Sequence, residues 1–352
     1  MPALTVIQCG QSPRLQAVLA AALEQTEACI LSVAQAAQTD LQNRRLLFAA
    51  AVGEFGIDGD FCRLLQLLRS RPGCLRGCVG AVLMDGATEL DTKQAARMLV
   101  FAANRAGCLF PGKPLVEGTG SLRNLDIQAR KNGLSREQTY PFAARNLVEK
   151  LLAFRPARRE KPRLLLLHAS EHRTSNTLAL GEQVAARLPD CKITTLSLRN
   201  GAVHDCRGCS YTVCAHFAKN DSCFYGGAIV DEVFPALRRC DALLLLCPNY
   251  NDAVGANIMA CINRMTSLMV SDALAGKYLY AIVVSGYSGG DLVAQQLLGA
   301  LCLNKSLSLP PEFCLLETAN DPGSALHLPG IQTRLDAFAR NIRRQLFQKE
   351  EP

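Results

Sequence analysis

Residues 163–177 read RLLLLHASEHRTSNT. Four consecutive leucines make a strand buried on both faces, because a strand with one wet face would alternate apolar and polar residues. The chain then turns polar and ends the stretch in Ser175-Asn176-Thr177, after which residues 178–188 take helical spacing. A buried strand, a polar loop and a helix form the opening unit of a parallel sheet. Main-chain N–H groups at the helix start, with Ser170, Ser175, Asn176 and Thr177 beside them, suit a phosphate dianion. Ser175 and Thr177 equally suit ordinary helix capping.

Outward from this stretch the pattern repeats. Strands are predicted at 163–168, 193–198, 242–247, 278–285 and 313–317, with helices at 228–239, 256–268, 292–303 and 331–347. Right-handed helical crossovers make a doubly wound sheet the natural solution. Its ligand edge lies at the C-terminal ends of the strands. After the third strand comes Pro248-Asn249-Tyr250-Asn251-Asp252, in which a proline and an aromatic ring can wall a planar group and the amides can meet its polar edge. After the fourth comes Ser285-Gly286-Tyr287-Ser288-Gly289-Gly290, whose glycines permit close approach of the backbone. Each loop alone also reads as a plain turn.

The first half follows the same plan, with strands at 4–9, 29–33, 45–51, 78–83 and 114–117 and helices at 15–24, 61–69, 93–105 and 142–154. Residues 155–162, basic and proline-bearing, read as a linker between domains at 1–154 and 163–352. Loops of the first half at 52–60 (VGEFGIDGD) and 84–89 (MDGATE) carry acids, which repel a phosphate.

Composition fits this plan. At 49% hydrophobic and 20% charged, the chain has the makings of a globular core. The net charge of +7 gathers in the linker and the last helix, without a nucleic-acid motif beside it. There is no apolar run of membrane length and no secretory leader pattern at the start. Nucleic acid and membrane are therefore excluded as partners, and a cytoplasmic setting is expected.

The three loops of the second half resemble those of the NADPH-dependent FMN reductase and iron–sulfur flavoprotein group of the flavodoxin-like superfamily. Ser170 and Ser175-Asn176-Thr177 match its opening G-S-x-R-x-x-S-N-T, with Ala169 for the glycine and His172-Arg173 around the arginine position. Pro248, Tyr250 and Asn263-Arg264 match its P-x-Y loop and D-R helix end, and Gly286, Gly289 and Gly290 match its glycine loop. The resemblance covers the second half, and with the repeated pattern of the first half it sets the expectation of an α/β protein with two flavodoxin-like, doubly wound, parallel five-stranded sheets in tandem, the N-terminal one degenerate. It implies FMN held by Ser170, Arg173, Ser175, Asn176 and Thr177 at the phosphate, with the ring between residues 248–252 and 285–290. NADPH or NADH would be a transient donor, and a small acceptor (quinone or flavin) or a redox protein the partner. No side chain is expected as an essential acid or base, because the hydride chemistry belongs to the flavin. Flavodoxin-like reductases commonly act as dimers, so a homodimer, or a pseudo-dimer within one chain, is expected.

Sixteen cysteines occur, many inside apolar segments where a thiol serves as a small hydrophobe. Cys206, Cys209, Cys214 and Cys223 are the exception, four thiols in one polar loop. They suit an iron–sulfur cluster, zinc or an unmetallated redox-active loop. The resemblance favours iron, although the third and fourth cysteines are more widely spaced than usual in that group. Three functions stay open: an NAD(P)H-dependent FMN oxidoreductase, an iron–sulfur flavoprotein electron carrier, and a binding module that has lost its flavin.

Overall fold

The computed structural model describes residues 3–348 except 171–173, 200 and 202. The chain divides into two compact units, Met1–Arg155 and Pro156–Pro352.

The first unit runs β1 (Leu4–Cys9), α1 (Pro13–Leu23), β2 (Ala28–Ser32), α2 (Val33–Ala36), β3 (Arg45–Val52), α3 (Gly59–Ser70), β4 (Val79–Gly86), α4 (Thr92–Arg105), β5 (Leu115–Gly118), α5 (Asp126–Asn132) and α6 (Arg136–Ala153). Its sheet is parallel in the order β2-β1-β3-β4-β5. Helix α6 begins ahead of the predicted start at 142, because the capping box of Ser135 and Gln138 launches it and Pro141 is absorbed inside it.

The second unit runs β6 (Arg163–His168), α7 (Asn176–Ala186), β7 (Lys192–Ser197), α8 (Tyr211–Ala218), α9 (Phe234–Arg239), β8 (Ala242–Tyr250), β9 (Ala253–Val254), α10 (Ala256–Arg264), α11 (Thr266–Val270), β10 (Tyr278–Ser285), α12 (Gly290–Leu298), β11 (Cys314–Thr318) and α13 (Ile331–Leu346). The order β7-β6-β8-β10-β11 repeats that of the first unit, and both are the 2-1-3-4-5 order of flavodoxin-like sheets. The expectation of two doubly wound parallel sheets holds. The second sheet differs by one short strand, β9, antiparallel to β8. The helix predicted at 256–268 is two helices, α10 and α11, joined at Met265. Helix α8, inside the cysteine loop, was not predicted.

The leucine run of β6 packs as its composition demands: Leu164–Leu167 are each at most 1% exposed. Register pairs Leu164 with Ala242 and His168 with Leu246, so β6 ends opposite Leu246 while β8 runs on to Tyr250. Helix α7 lies close over β8. A Cβ on Gly181 would come within 2.6 Å of a Leu246 methyl, so only glycine fits. The start of α7 is thereby fixed over the C-terminal strand edge, where the polar loops lie.

Among the described residues no helix is long and apolar enough to cross a membrane.

Candidate functional site

The loop after β6 ends at Ser175, which caps α7: the Leu178 N–H donates to Ser175 Oγ at 3.3 Å. Thr177 Oγ1 lies 3.1 Å from Ser175 Oγ and is buried. The Asn176 side chain is engaged elsewhere. Its Nδ2 donates to the carbonyls of Ala319 (3.3 Å) and Asp321 (3.0 Å), and its Oδ1 accepts from the Ala325 N–H at 3.0 Å. Asn176 therefore pins the loop after β11 beside the helix start, leaving its own main chain at the N-terminal end of α7. Behind the loop, buried His168 accepts the Ser170 N–H on Nδ1 at 3.2 Å, and burial lowers its pKa. Arg173, expected at the phosphate, and its neighbour His172 lie outside the described residues.

The segment after the third parallel strand is a hairpin where a plain loop was expected. Strand β8 runs through Pro248, Asn249 and Tyr250, and β9 returns with Asn249 opposite Val254 and Tyr250 opposite Ala253. Asn251 and Asp252 form the two-residue turn, with φ of 52° and 57°. Two consecutive left-handed residues make the type I′ turn that matches strand twist, and Asn and Asp tolerate it best after glycine. Gln296 of α12 braces the hairpin by accepting the Val254 N–H (2.9 Å) and donating to the Asp252 carbonyl (3.0 Å).

Asn249 joins this hairpin to the loop after β10. Its Nδ2 donates to the Ser288 carbonyl at 2.8 Å, Ser285 Oγ at 3.1 Å and Asp252 Oδ1 at 3.2 Å. Its Oδ1 is out of solvent and has no protein partner. Gly289 fits against the same hairpin with φ of 81°, and a Cβ there would fall 1.8 Å from Asp252 Oδ1.

These segments open one cleft of about 810 Å³. Of the predicted residues, Ser170, Ser175, Asn176, Thr177, Pro248, Asn249, Tyr250, Asn251, Asp252, Gly286 and Tyr287 line it. Ser285 and Gly289 stand behind that lining, against Asn249 and Asp252. Sequence reasoning missed Asn257 and Asn320, while Ser288 lies in the loop it expected. Asn257, in the first turn of α10, donates to the Leu198 carbonyl at 2.8 Å, and its polar position at a helix start after the hairpin was a signal available in the sequence. Tyr250 and Tyr287 are 66% and 83% exposed, two aromatic faces not used in the core. Among the described lining residues Asp252 is the sole carboxylate and there is no lysine, arginine or histidine. These described lining residues bind by amides, hydroxyls and ring faces.

The four loop cysteines gather elsewhere, around a hollow of about 30 Å³ with Phe217, Tyr225, Arg264 and Ser267. Burial, and secondarily the neighbouring thiols of Cys209, Cys206 and Cys223, raise the pKa of Cys214. A side-chain hydrogen bond with Cys209 raises that of Tyr225. Among the described residues no three His, Cys, Asp or Glu side chains are arranged to hold a metal ion, and the ligation expected of Cys206, Cys209, Cys214 and Cys223 is not tested by this arrangement. Cys209 engages Tyr225 and Cys214 is carried on α8, and the hollow's volume suits about one water.

The NAD(P)H:quinone oxidoreductase from Methanothermobacter marburgensis superposes on 54% of this chain and 100% of its own, at 13% identity and a TM-score of 0.41. An FMN-dependent NADH-azoreductase from Bacillus anthracis str. Ames Ancestor, in complex with FMN, covers 51% and 99%, at 12% identity and a TM-score of 0.35. A search of curated proteins gives no match. Residues 162–321, most of the second unit, match the family NADPH-dependent FMN reductase, and it is to oxidoreductases of that family that this unit is similar.

Proposed function

We propose that the second unit holds FMN in the cleft and passes electrons from NADPH or NADH to a small acceptor, a quinone or a free flavin. The observation that carries this reading is the meeting of three loops, from the ends of β6, β8 and β10, in one cleft. Its volume of about 810 Å³ lies within the range of roughly 300–1,000 Å³ usual for cofactor sites. The donor set fits the ligand as well, with hydroxyls and a helix N-terminus for the phosphate, and amides and tyrosines for the ring.

FMN, when bound, supplies the hydride and electron chemistry. The protein's part is placement. Ser170, Ser175 and Thr177, with the N-terminus of α7, hold the phosphate, and Arg173 of the same loop adds its charge. Pro248 and Tyr250 flank the ring on the hairpin side, Gly286 and Tyr287 on the other. Asn251 would meet the polar edge, while Asn249, Ser285, Asp252 and Gly289 fix the spacing of the two walls. The nicotinamide and the acceptor would have to reach the ring itself in turn, and the exposed Tyr250 and Tyr287 line that approach.

In this reading residues 163–352 are the flavin-binding reductase domain, 155–162 a linker and 1–154 a copy without a flavin site. A cytoplasmic setting accords with free thiols at every cysteine. The test is a visible spectrum of the purified or FMN-reconstituted protein before and after anaerobic NAD(P)H. A flavin spectrum that bleaches supports the proposal, and a protein that takes up no FMN refutes it in favour of a flavin-less binding module.

A second reading rests on the common hollow of Cys206, Cys209, Cys214 and Cys223: an iron–sulfur electron carrier serving a redox protein. No step is assigned to a cluster, since among the described residues no three such side chains are arranged around a metal ion. About four irons per chain after anaerobic purification would restore that reading.

A further inference from the structure

The two sheets share one strand order, yet their ligand edges are built differently. In the second unit residues 169–174 separate the strand end from the capping Ser175, and the fourth parallel strand ends in Ser285-Gly286. In the first unit only Gly10 and Gln11 separate the end of β1 from Ser12, which caps α1, and β4 ends in Asp85-Gly86.

The short loop brings the start of α1 against Asp85. Asp85 is 3% exposed and accepts from Ser12 Oγ at 2.6 Å and from Arg14 Nε at 2.7 Å. The rest of the Arg14 guanidinium spreads over the ends of two strands. Nη2 donates to the Gly86 carbonyl at 2.6 Å and the Gly118 carbonyl at 3.4 Å, and Nη1 to the Gly120 carbonyl at 3.0 Å. In an open α/β sheet this edge is where a ligand binds, with its anionic group at a helix N-terminus. Here a carboxylate already stands at the start of α1, neutralised by a planar cation that satisfies carbonyls from the β4 and β5 ends. All five donor groups of a guanidinium suit such a fork, which an ammonium cannot copy.

We infer that the first unit's ligand crevice is filled from within: Asp85 stands where a ligand's anionic group would sit, and the Arg14 guanidinium is its built-in occupant. The unit is a closed copy whose stability depends on that occupant, independent of what the second unit holds. A buried carboxylate left without its cation is costly, whereas the intact pair is neutral, with the Asp85 side chain 4% and the Arg14 side chain 31% exposed.

The test is chemical rescue of the full-length protein, followed by calorimetry. Arg14→Ala should lower the transition of the first unit by about 10 °C, on the usual cost of breaking a buried pair. Guanidinium chloride at low millimolar concentration should recover part of that loss, while equal methylammonium or sodium chloride should not, and wild type should not respond. Arg14→Lys, which keeps a charge beside Asp85 but cannot reach the three carbonyls together, should fall between. An Arg14→Ala protein as stable as wild type, or one that guanidinium does not rescue, would overturn the inference. So would an Arg14→Lys protein of wild-type stability, which keeps the test decisive if the alanine variant does not fold.

Discussion

The side-chain amide of Asn249 donates to the main-chain carbonyl of Ser288 at 2.8 Å and so ties the hairpin after β8 to the loop after β10. Two segments far apart in sequence thereby become opposite walls of one cleft with a fixed gap. A planar ligand needs that gap set before it arrives, because ordering the walls on binding would subtract from affinity.

Asn249→Ala removes three donated bonds and leaves acceptors behind it unpaired. A loss of about 1–2 kcal/mol in pre-organisation corresponds to a Kd for FMN roughly 5- to 30-fold higher. Fluorescence titration of the apoprotein checks this, and an unchanged Kd would remove Asn249 from the account.

Gly289→Ala places a methyl where Asp252 already lies, at a φ that side chains rarely adopt. The expected cost is about 1–3 kcal/mol of stability, with weakened FMN binding. Asp252→Ala in the same chain should relieve the clash but not the backbone strain, so recovery in the double variant should be partial.

Tyr287 is so exposed that Tyr287→Ala should leave thermal stability within about 0.5 kcal/mol of wild type. A stacking partner for the acceptor, in contrast, is worth about 0.5–1.5 kcal/mol, or roughly a 2- to 12-fold rise in acceptor KM. Steady-state kinetics with a quinone, set beside a melting curve, separates the two effects.

His168 supplies a pH dependence. Burial lowers its folded pKa, while the unfolded chain keeps the ordinary value of about 6.5. Below that value the unfolded state binds the proton more readily, so stability is fully present above about pH 6.5 and is lost as pH falls through the lowered folded value. Urea midpoints of wild type should therefore fall more between pH 7.5 and 5 than those of His168→Gln. Parallel curves for the two proteins would contradict this.

Much of this was legible in the sequence because buried parallel strands announce themselves. Leu164–Leu167 admit one reading, and the loops that follow β6, β8 and β10 could be named from Ser175, Tyr250 and Gly289 before any coordinates. What escaped depends on partners distant in sequence. Asn251-Asp252 is a hairpin turn without the usual glycine, and it becomes visible only when β9 pairs with β8. Asn176 looks like a phosphate ligand until the loop after β11 arrives to take its amide. Pro141 argues for a helix start, but the Ser135 capping box overrules it. Arg14 looks like one more surface arginine until Asp85 is found beneath it.

Whether the cleft holds a working flavin is decided by titrating FMN into full-length apoprotein and then adding NAD(P)H without oxygen. One FMN bound per chain, with its visible band bleached by the nicotinamide, is the predicted result. No binding, or binding unchanged when Ser175 and Tyr250 are both replaced by alanine, would contradict it.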